Sequence, residues 1–320
     1  MLKCIGKRGN KMLDNLEKIT DFKHGDNSHQ GASLYKTESM IDYELLNGEE
    51  LSYKNINDMT TLIQILSEFF DVNAAIMVKN AMPCGAALGA SLTEAFNKAF
   101  DCNPISVLGS CIGFSKILDT ETAKKIHLSD FELVMAIGYD KEALDILKKK
   151  PNVKVIKINT PLEEVKISMA EEVRITPFGI LLQDADRSDF NKDTFKVVTK
   201  RKPTTEEIED AIFAFKIAKH SKSKAVVVAK NFKMLSIAQG QTNFADACTW
   251  VMTYACDDTK GSVMAYDGII DTIDGIHIAA QARVALVIQA GGAFNDNVIT
   301  KNCDKYEIGM ITTGITHHKM

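Results

Sequence analysis

A lysine and an asparagine follow a short apolar run where the chain is expected to turn. Residues 76–85 read Ile-Met-Val-Lys-Asn-Ala-Met-Pro-Cys-Gly, so Lys79 and Asn80 would stand between a buried strand and a Pro-Cys-Gly turn. A lysine there can orient an amine or a phosphate, and a desolvated lysine can act as a base. An asparagine exchanges hydrogen bonds but takes up no proton near neutral pH. Two simpler roles stay open: Lys79 reaching water, and the Asn80 amide capping the turn.

Other polar residues could also contact a ligand. Lys23 and His24, together with His29, flank a Gly-Asp-Asn turn that includes Asn27, where cations beside exposed backbone donors would suit a phosphate. A solvated loop is the alternative there. Lys224 precedes the apolar run 225–229 and is a second candidate cation, unless it only extends to solvent. Glu132 precedes another apolar run and is either a ligand contact or an exposed carboxylate at a strand entry.

Composition excludes several classes of protein. The 320 residues are 45% hydrophobic, which predicts a globular chain. The formal net charge of -4 provides no positive electrostatic field that would attract nucleic acid or an anionic membrane. The seven cysteines form no Cys-x-x-Cys pair, so neither a disulfide framework nor a thiolate metal site is expected. The apolar runs are too short to span a bilayer and the first residues lack a signal-peptide core, which predicts a cytoplasmic protein.

Three catalytic classes also lack their motifs. A zinc deaminase needs His-x-Glu and Pro-Cys-x-x-Cys, whereas Ala87 stands where the second cysteine after Pro83 and Cys84 would be, and no His-x-Glu occurs. The glycines match neither a Walker loop nor a dinucleotide fingerprint, which argues against an NTPase or an NAD enzyme. His277 lies in a helical pattern and is interpreted as structural.

Hydrophobic periodicity predicts alternating strands and helices. The capping box of Thr204 and Glu207 marks the start of another helix. The predicted strands are 74–78, 133–137, 225–229 and 284–288, and the predicted helices are 60–70, 86–100, 141–149, 245–254 and 276–282. Such alternation is typical of a layered α/β fold. The predicted division is an N-terminal segment with a ligand loop (1–38) and two α/β lobes (39–196 and 197–320), with a cleft between the lobes.

Four segments are similar to the motifs of one known family. Residues 78–85 are similar to Val-Lys-His-x-Asn-Pro-Cys-Gly, and residues 25–30 to Gly-x-Asn-Pro-His-Gln. Residues 51–55 resemble Leu-Ser-Tyr-Asn-Asn, and residues 197–204 resemble Val-Val-Thr-Lys-Arg-x-Pro-Thr. In these motifs the chain resembles the AICAR (aminoimidazole carboxamide ribotide) transformylase domain of the bifunctional purine biosynthesis enzyme, and the similarity extends from about His24 to the C-terminus.

The resemblance implies two cytidine-deaminase-like α/β lobes, a homodimer, and formyl transfer from formyltetrahydrofolate to AICAR without a metal. It implies catalytic roles for positions Lys79, Asn80 and Lys224. It also implies substrate contacts by the following residues: Lys23, His24, Asn27, Gly109, Glu132, Gly240, Gln241, Asp267 and His317. The family's cyclohydrolase domain has no room in the chain, so ring closure is expected to be absent.

The chain departs from the family at several functional positions. The family's catalytic histidine is replaced by Asn80, and the asparagine of its Ser-Asn pair by Lys224. Two family arginines correspond to Phe244 and Thr316, although His317 could serve near the second. The sequence therefore predicts a divergent, stand-alone transformylase. The alternative is a catalytically inactive homologue that binds a ribotide or acts as a dimeric partner.

Overall fold

The computed structural model describes residues 16–168, 171–188 and 191–320, with no account of the side chains of 166–168. Within these residues the strands are β1 (Lys18–Phe22), β2 (Ala32–Tyr35), β3 (Tyr43–Asn47), β4 (Asn73–Lys79), β5 (Met82–Gly89), β6 (Cys111–Phe114), β7 (Leu133–Ala136), β8 (Lys154–Ile158), β9 (Glu171–Thr176), β10 (Gly179–Asp184), β11 (Lys196–Val197), β12 (Val226–Lys230), β13 (Lys233–Ala238), β14 (Val263–Tyr266), β15 (Leu286–Gln289) and β16 (Gly309–Thr312). The helices are α1 (Tyr53–Ser67), α2 (Leu92–Phe100), α3 (Pro104–Val107), α4 (Thr120–His127), α5 (Lys141–Leu147), α6 (Leu162–Ser168), α7 (Thr205–Lys219), α8 (Phe244–Ala255), α9 (Asp274–Gln281) and α10 (Asp296–Lys305).

One mixed sheet of 12 strands runs through the molecule, in the order β11-β16-β15-β14-β12-β13-β5-β4-β6-β7-β8-β3. Its middle is the antiparallel contact between β13 and β5, where Lys233 lies opposite Ala87. The predicted α/β class is confirmed. In the described part of the chain, no helix is long and apolar enough to cross a bilayer.

The two halves of the sheet repeat the same pairing. In each half an inner hairpin, β4–β5 or β12–β13, is followed outward by an antiparallel strand, two parallel strands and an antiparallel edge strand. A 15-residue helix precedes each hairpin, and each begins with a capping box: Ser52 with Asn55 in α1, and Thr204 with Glu207 in α7. The Thr204–Glu207 capping box was predicted from the sequence and is confirmed.

Helices cover both faces of the sheet. The buried side chains of α1 and α7, including Leu62 and Phe213, belong to one continuous core beneath a single face. On the other face, α2, α4 and α5 cover the first half of the sheet, and α8, α9 and α10 cover the second half. Burial of these apolar side chains contributes most of the free energy that holds the layers together.

One prediction near the candidate site is wrong. Residues 86–100 were expected to form a helix after a Pro-Cys-Gly turn, but Met82–Gly89 is strand β5 and the helix begins only at Leu92. The small residues of β5 let α2 pack closely, because a Cβ on Gly85 would lie 2.6 Å from the carbonyl oxygen of Ala99. The turn is therefore Asn80–Ala81, between β4 and β5.

Candidate functional site

The turn between β4 and β5 fixes the position of Lys79 and Asn80. Asn80 and Ala81 have positive φ values of 56° and 59°, as the central residues of a tight hairpin of primed type require. The Lys79 ammonium donates to the carbonyl oxygen of Leu108 at 2.8 Å, and a Cβ on Gly109 would lie 4.0 Å from it. The Asn80 side chain is exposed. Lys79, Asn80 and Gly109 thus lie close together.

A buried carboxylate holds this turn from below. Asp58 of α1 is fully buried and accepts hydrogen bonds from the backbone N–H of Ala81 and, at 2.7 Å, from the Lys54 ammonium. Lys54 also donates to Glu132 at 3.0 Å, and Asn55 donates to the second oxygen of Glu132 at 2.6 Å. Glu132 is therefore linked to the turn through two side chains of α1.

The same contacts explain the titration of this network. Burial alone would raise the pKa of Glu132, but hydrogen bonds from Lys54 and Asn55 hold it below its usual value. Burial alone would lower the pKa of Lys54, but its bonds to Asp58 and Glu132 raise it. Both groups are therefore charged at neutral pH. Burial raises the pKa of the nearby Cys84 thiol to about 12, so this thiol is protonated near neutral pH.

A second group of predicted residues surrounds the start of β12. Lys224 and Gln241 exchange backbone hydrogen bonds of 3.0 and 3.4 Å, and the N–H of Gly240 donates to Lys222 at 2.8 Å. These contacts extend the β12–β13 pair beyond its last strand residues. They also place Lys224 beside Gln241 rather than in an isolated loop.

Asp267 and His317 lie behind this second group. Asp267 is fully buried, and its carboxylate accepts from the Ser223 hydroxyl and from the N–H of Ala225 at 3.0 Å. Burial raises its pKa. The backbone N–H of His317 donates to the carbonyl of Asp267, while its buried ring bonds Asp186 at 2.5 Å. In this arrangement both side chains are engaged with the protein.

The sheet brings the two groups to one edge. Three antiparallel steps separate β4 from β12, so the end of β4 and the start of β12 face the same way. The Gln239 amide donates to the carbonyl of Pro83 at 2.8 Å and joins the two halves there. A cavity of about 380 Å³ opens at this edge, lined by Lys79, Asn80, Met82, Pro83, Cys84, Cys102, Asn103, Ser106, Met234, Leu235, Ser236, Ile237, Gln239, Gln241, Trp250 and Tyr254.

The predicted phosphate loop lies elsewhere. Lys23 and His24 line a separate groove with Tyr43 and Ser52. The amide and backbone N–H of Asn27 donate to the Gln30 side chain at 3.0 and 2.9 Å, which closes the loop upon itself. Lys23, His24 and Asn27 are therefore not among the residues that line the Lys79 cavity.

Sequence reasoning missed four residues at this edge: Asp58, Gln239, Trp250 and Tyr254. A sequence signal did exist for Asp58. Asp210 of α7 caps a second tight turn, accepting from Asn231 at 2.7 Å and Phe232 at 2.6 Å. Both aspartates stand six residues after their helix N-caps, Ser52 and Thr204.

Comparison with known proteins gives the family. The sequence profile described as "AICARFT/IMPCHase bienzyme" matches residues 4–254. The chain belongs to the AICARFT/IMPCHase bienzyme family. Curated relatives named bifunctional purine biosynthesis protein PurH include those of Acetivibrio thermocellus (36% identical over 311 residues, 95% of this chain and 60% of the relative), Brachyspira hyodysenteriae (39% over 306 residues, 93% and 58%) and Petrotoga mobilis (38% over 310 residues, 95% and 59%).

The chain thus spans about 60% of the length of these curated relatives. Membership in the family is shown for most of the described fold, including the β4–β5 turn and the start of α8. Across the described residues, no group of three or more His, Cys, Asp and Glu side chains is arranged to hold a metal ion.

Proposed function

We propose that this protein binds AICAR or a similar ribotide and transfers to it the formyl group of formyltetrahydrofolate. The observation that carries the proposal is the cavity at the sheet edge, where the Lys79 ammonium and the amides of Asn80 and Gln241 line one space. Membership in the AICARFT/IMPCHase bienzyme family supplies the class of ligand. A cavity at the junction of two structural halves is a favoured ligand site.

The reaction sets requirements for these side chains. The substrate amine forms a C–N bond to the formyl carbon, the bond from that carbon to the folate nitrogen breaks, and the amine proton passes to the released nitrogen. The tetrahedral intermediate carries negative charge on its oxygen, which Lys79 and the Asn80 amide would stabilise as donors. The deformylated folate leaves as a neutral amine.

A second candidate function is ribotide binding without turnover, and Asn80 favours it. An asparagine cannot accept the amine proton, whereas the family signature has a histidine there. Asn80 is also accounted for by the backbone, because asparagine is among the residues that best tolerate positive φ in a tight turn. In this alternative the cavity keeps its donors for a ligand but lacks a proton acceptor.

Paired lysine variants test the proposal. Lys230 is the last residue of β12 as Lys79 is the last residue of β4, and it donates to the carbonyl of Lys260 at 2.7 Å as Lys79 donates to Leu108. Lys79→Ala and Lys230→Ala therefore remove the same kind of structural contact, but only Lys79 lines the cavity with Asn80. Formyl-AICAR would be measured by mass spectrometry, and AICAR binding by calorimetry.

The two candidates predict different results. Formyl transfer that is lost in Lys79→Ala and kept in Lys230→Ala would support catalysis at this cavity. AICAR binding without formyl-AICAR in the wild-type protein would support the second candidate. Absence of AICAR binding in the wild-type protein would refute both.

We also propose that the protein is a homodimer that uses the β9–β10 hairpin. On one face of this hairpin Val173 pairs with Leu182 and Ile175 pairs with Ile180. The four side chains are exposed by 54–60%. A contiguous apolar face of this kind is a common mark of a protein–protein interface. A second copy of the chain is the partner that the family resemblance implies.

The two-lobe organisation stays a proposal. The repeated strand order in residues 39–196 and 197–320 supports two related α/β units of the cytidine-deaminase-like type. The shared sheet and the shared core under α1 and α7 mean that such units would be joined side by side.

A further inference from the structure

Two aromatic side chains on the outer face of α8 line the Lys79 cavity. Trp250 and Tyr254 are one helical turn apart, and their ring centroids are 4.5 Å apart with the planes tilted by 37°. The core of α8 consists of other residues, namely Phe244, Ala247, Cys248, Val251 and Ala255. Trp250 and Tyr254 remain 49% and 55% exposed, so the packing of the helix does not account for them.

The rest of the cavity offers polar contacts beside this aromatic pair. Lys79 contributes a cation, and Asn80 and Gln241 contribute amides. Gln239 lines the same cavity, and its side-chain oxygen is buried without a hydrogen-bond partner in the described part of the chain. A buried carbonyl oxygen of this kind is satisfied when a ligand presents an N–H group.

We propose that Trp250 and Tyr254 form a stacking platform for the planar nitrogen heterocycle of an anionic ligand, with the Gln239 oxygen accepting from a ring or amine N–H. The inference rests on the proposed function for the class of ligand. Both AICAR and formyltetrahydrofolate have such a heterocycle and an anionic group, and the experiment distinguishes them. Aromatic side chains stack on any base, because every heterocycle of this type has a π-face.

The chain has one tryptophan, so its fluorescence reports Trp250 alone. Emission would be followed while AICAR, formyltetrahydrofolate or ribose phosphate is added, with free N-acetyltryptophanamide as the control for light absorption by the ligand. Ribose phosphate has the anion but no ring. We expect saturable quenching by AICAR or by formyltetrahydrofolate, and none by ribose phosphate. The ligand that quenches identifies the ring that stacks.

Variants measured by calorimetry complete the test. Trp250→Ala and Tyr254→Ala are each expected to weaken binding of the quenching ligand by about tenfold, the scale of one lost stacking contact. Tyr306→Ala is the matched control, since Tyr306 is also partly exposed and is not among the residues of the cavity. Its affinity should equal that of the wild-type protein.

Two results would overturn the inference. One refutes the stacking platform alone, and the other also refutes the proposed function. Binding that leaves Trp250 emission unchanged and is unaffected by Trp250→Ala refutes the stacking platform while the proposed function stands. No heat of binding from either AICAR or formyltetrahydrofolate refutes both.

Discussion

Replacing Asp58 with asparagine is expected to loosen the turn that presents Lys79 and Asn80, and thereby to weaken both stability and ligand binding. The fully buried carboxylate accepts from the N–H of Ala81 and from the Lys54 ammonium at 2.7 Å. An amide keeps one acceptor oxygen, but its NH₂ group would face the second donor. One of the two bonds is therefore lost.

The magnitude follows from these contacts. A hydrogen bond to a charged group contributes about 1.5–3 kcal/mol. The hydrogen bond from Lys54 to Asp58 contributes less to stability, about 1 kcal/mol, because the Lys54 side chain is 37% exposed and keeps its bond to Glu132. We expect Asp58→Asn to lower the free energy of unfolding by about 2 kcal/mol, roughly a 30-fold change in the unfolding equilibrium constant.

Asp210→Asn is the control that the fold supplies. Asp210 accepts from two backbone N–H groups of the second turn, at 2.7 and 2.6 Å, so its replacement should cost a similar amount of stability. Only Asp58 supports the turn that lines the cavity with Gln239. Urea denaturation followed by Trp250 fluorescence gives the stability, and calorimetry gives the affinity for AICAR.

Two results would refute this reasoning. An unfolding free energy of Asp58→Asn equal to that of the wild-type protein would mean that the carboxylate does not hold the turn. Equal loss of AICAR affinity in Asp58→Asn and Asp210→Asn would mean that the effect on binding is a general consequence of lower stability.

Three further predictions concern other parts of the molecule. Burial lowers the pKa of His220 below 6.5, so the unfolded state binds more protons, and the free energy of unfolding should fall as the pH drops below 6.5. Denaturation curves recorded across this pH range should show a weaker dependence of stability on pH in His220→Gln. An unchanged pH dependence would contradict this prediction. If the protein is the proposed homodimer, Leu182→Glu should convert it to a monomer in analytical ultracentrifugation, and a monomeric wild-type protein would contradict the proposed interface. Glu132→Ala should weaken AICAR binding by roughly tenfold in calorimetry. It should also lower the free energy of unfolding by about 1–3 kcal/mol, because the amide of the fully buried Asn55 loses its acceptor while the pairing with Lys54 is partly exposed. Unchanged affinity would remove Glu132 from the site.

Local sequence signals predicted the elements wherever packing agreed with them. The Thr204–Glu207 capping box starts α7, and the apolar run 133–137 contains β7. They failed at β5, where Pro83 and two glycines suggest a turn. The close packing of α2 decided that segment, since a Cβ on Gly89 would lie 2.6 Å from the nitrogen of Ala95. Small residues there serve helix-to-strand packing, which local propensity does not register.

The site was predicted in part for a similar reason. Lys79, Asn80 and Gly109 come together because one hairpin and the strand beside it determine their positions. Gln239 and Trp250 join them only through the contact between β5 and β13, which brings residues more than 150 positions apart to one edge. No pattern within one segment contains that information.

The internal repeat separates what folding requires from what function could require. The lysine and asparagine recur as Lys230 and Asn231, each lysine bonded to the carbonyl that precedes a glycine with positive φ. The repeated strand arrangement alone therefore accounts for a Lys-Asn pair at such a turn. Glu132 is different. Its backbone N–H donates to the carbonyl of Ser110, and the N–H of Ala285 donates in the same way to the carbonyl of Ser262 in the second half. The repeated strand arrangement therefore accepts an alanine at this position. The strand pairing therefore does not require a carboxylate there. Glu132 instead accepts hydrogen bonds from Lys54 and Asn55, and its replacement tests whether this carboxylate also serves ligand binding.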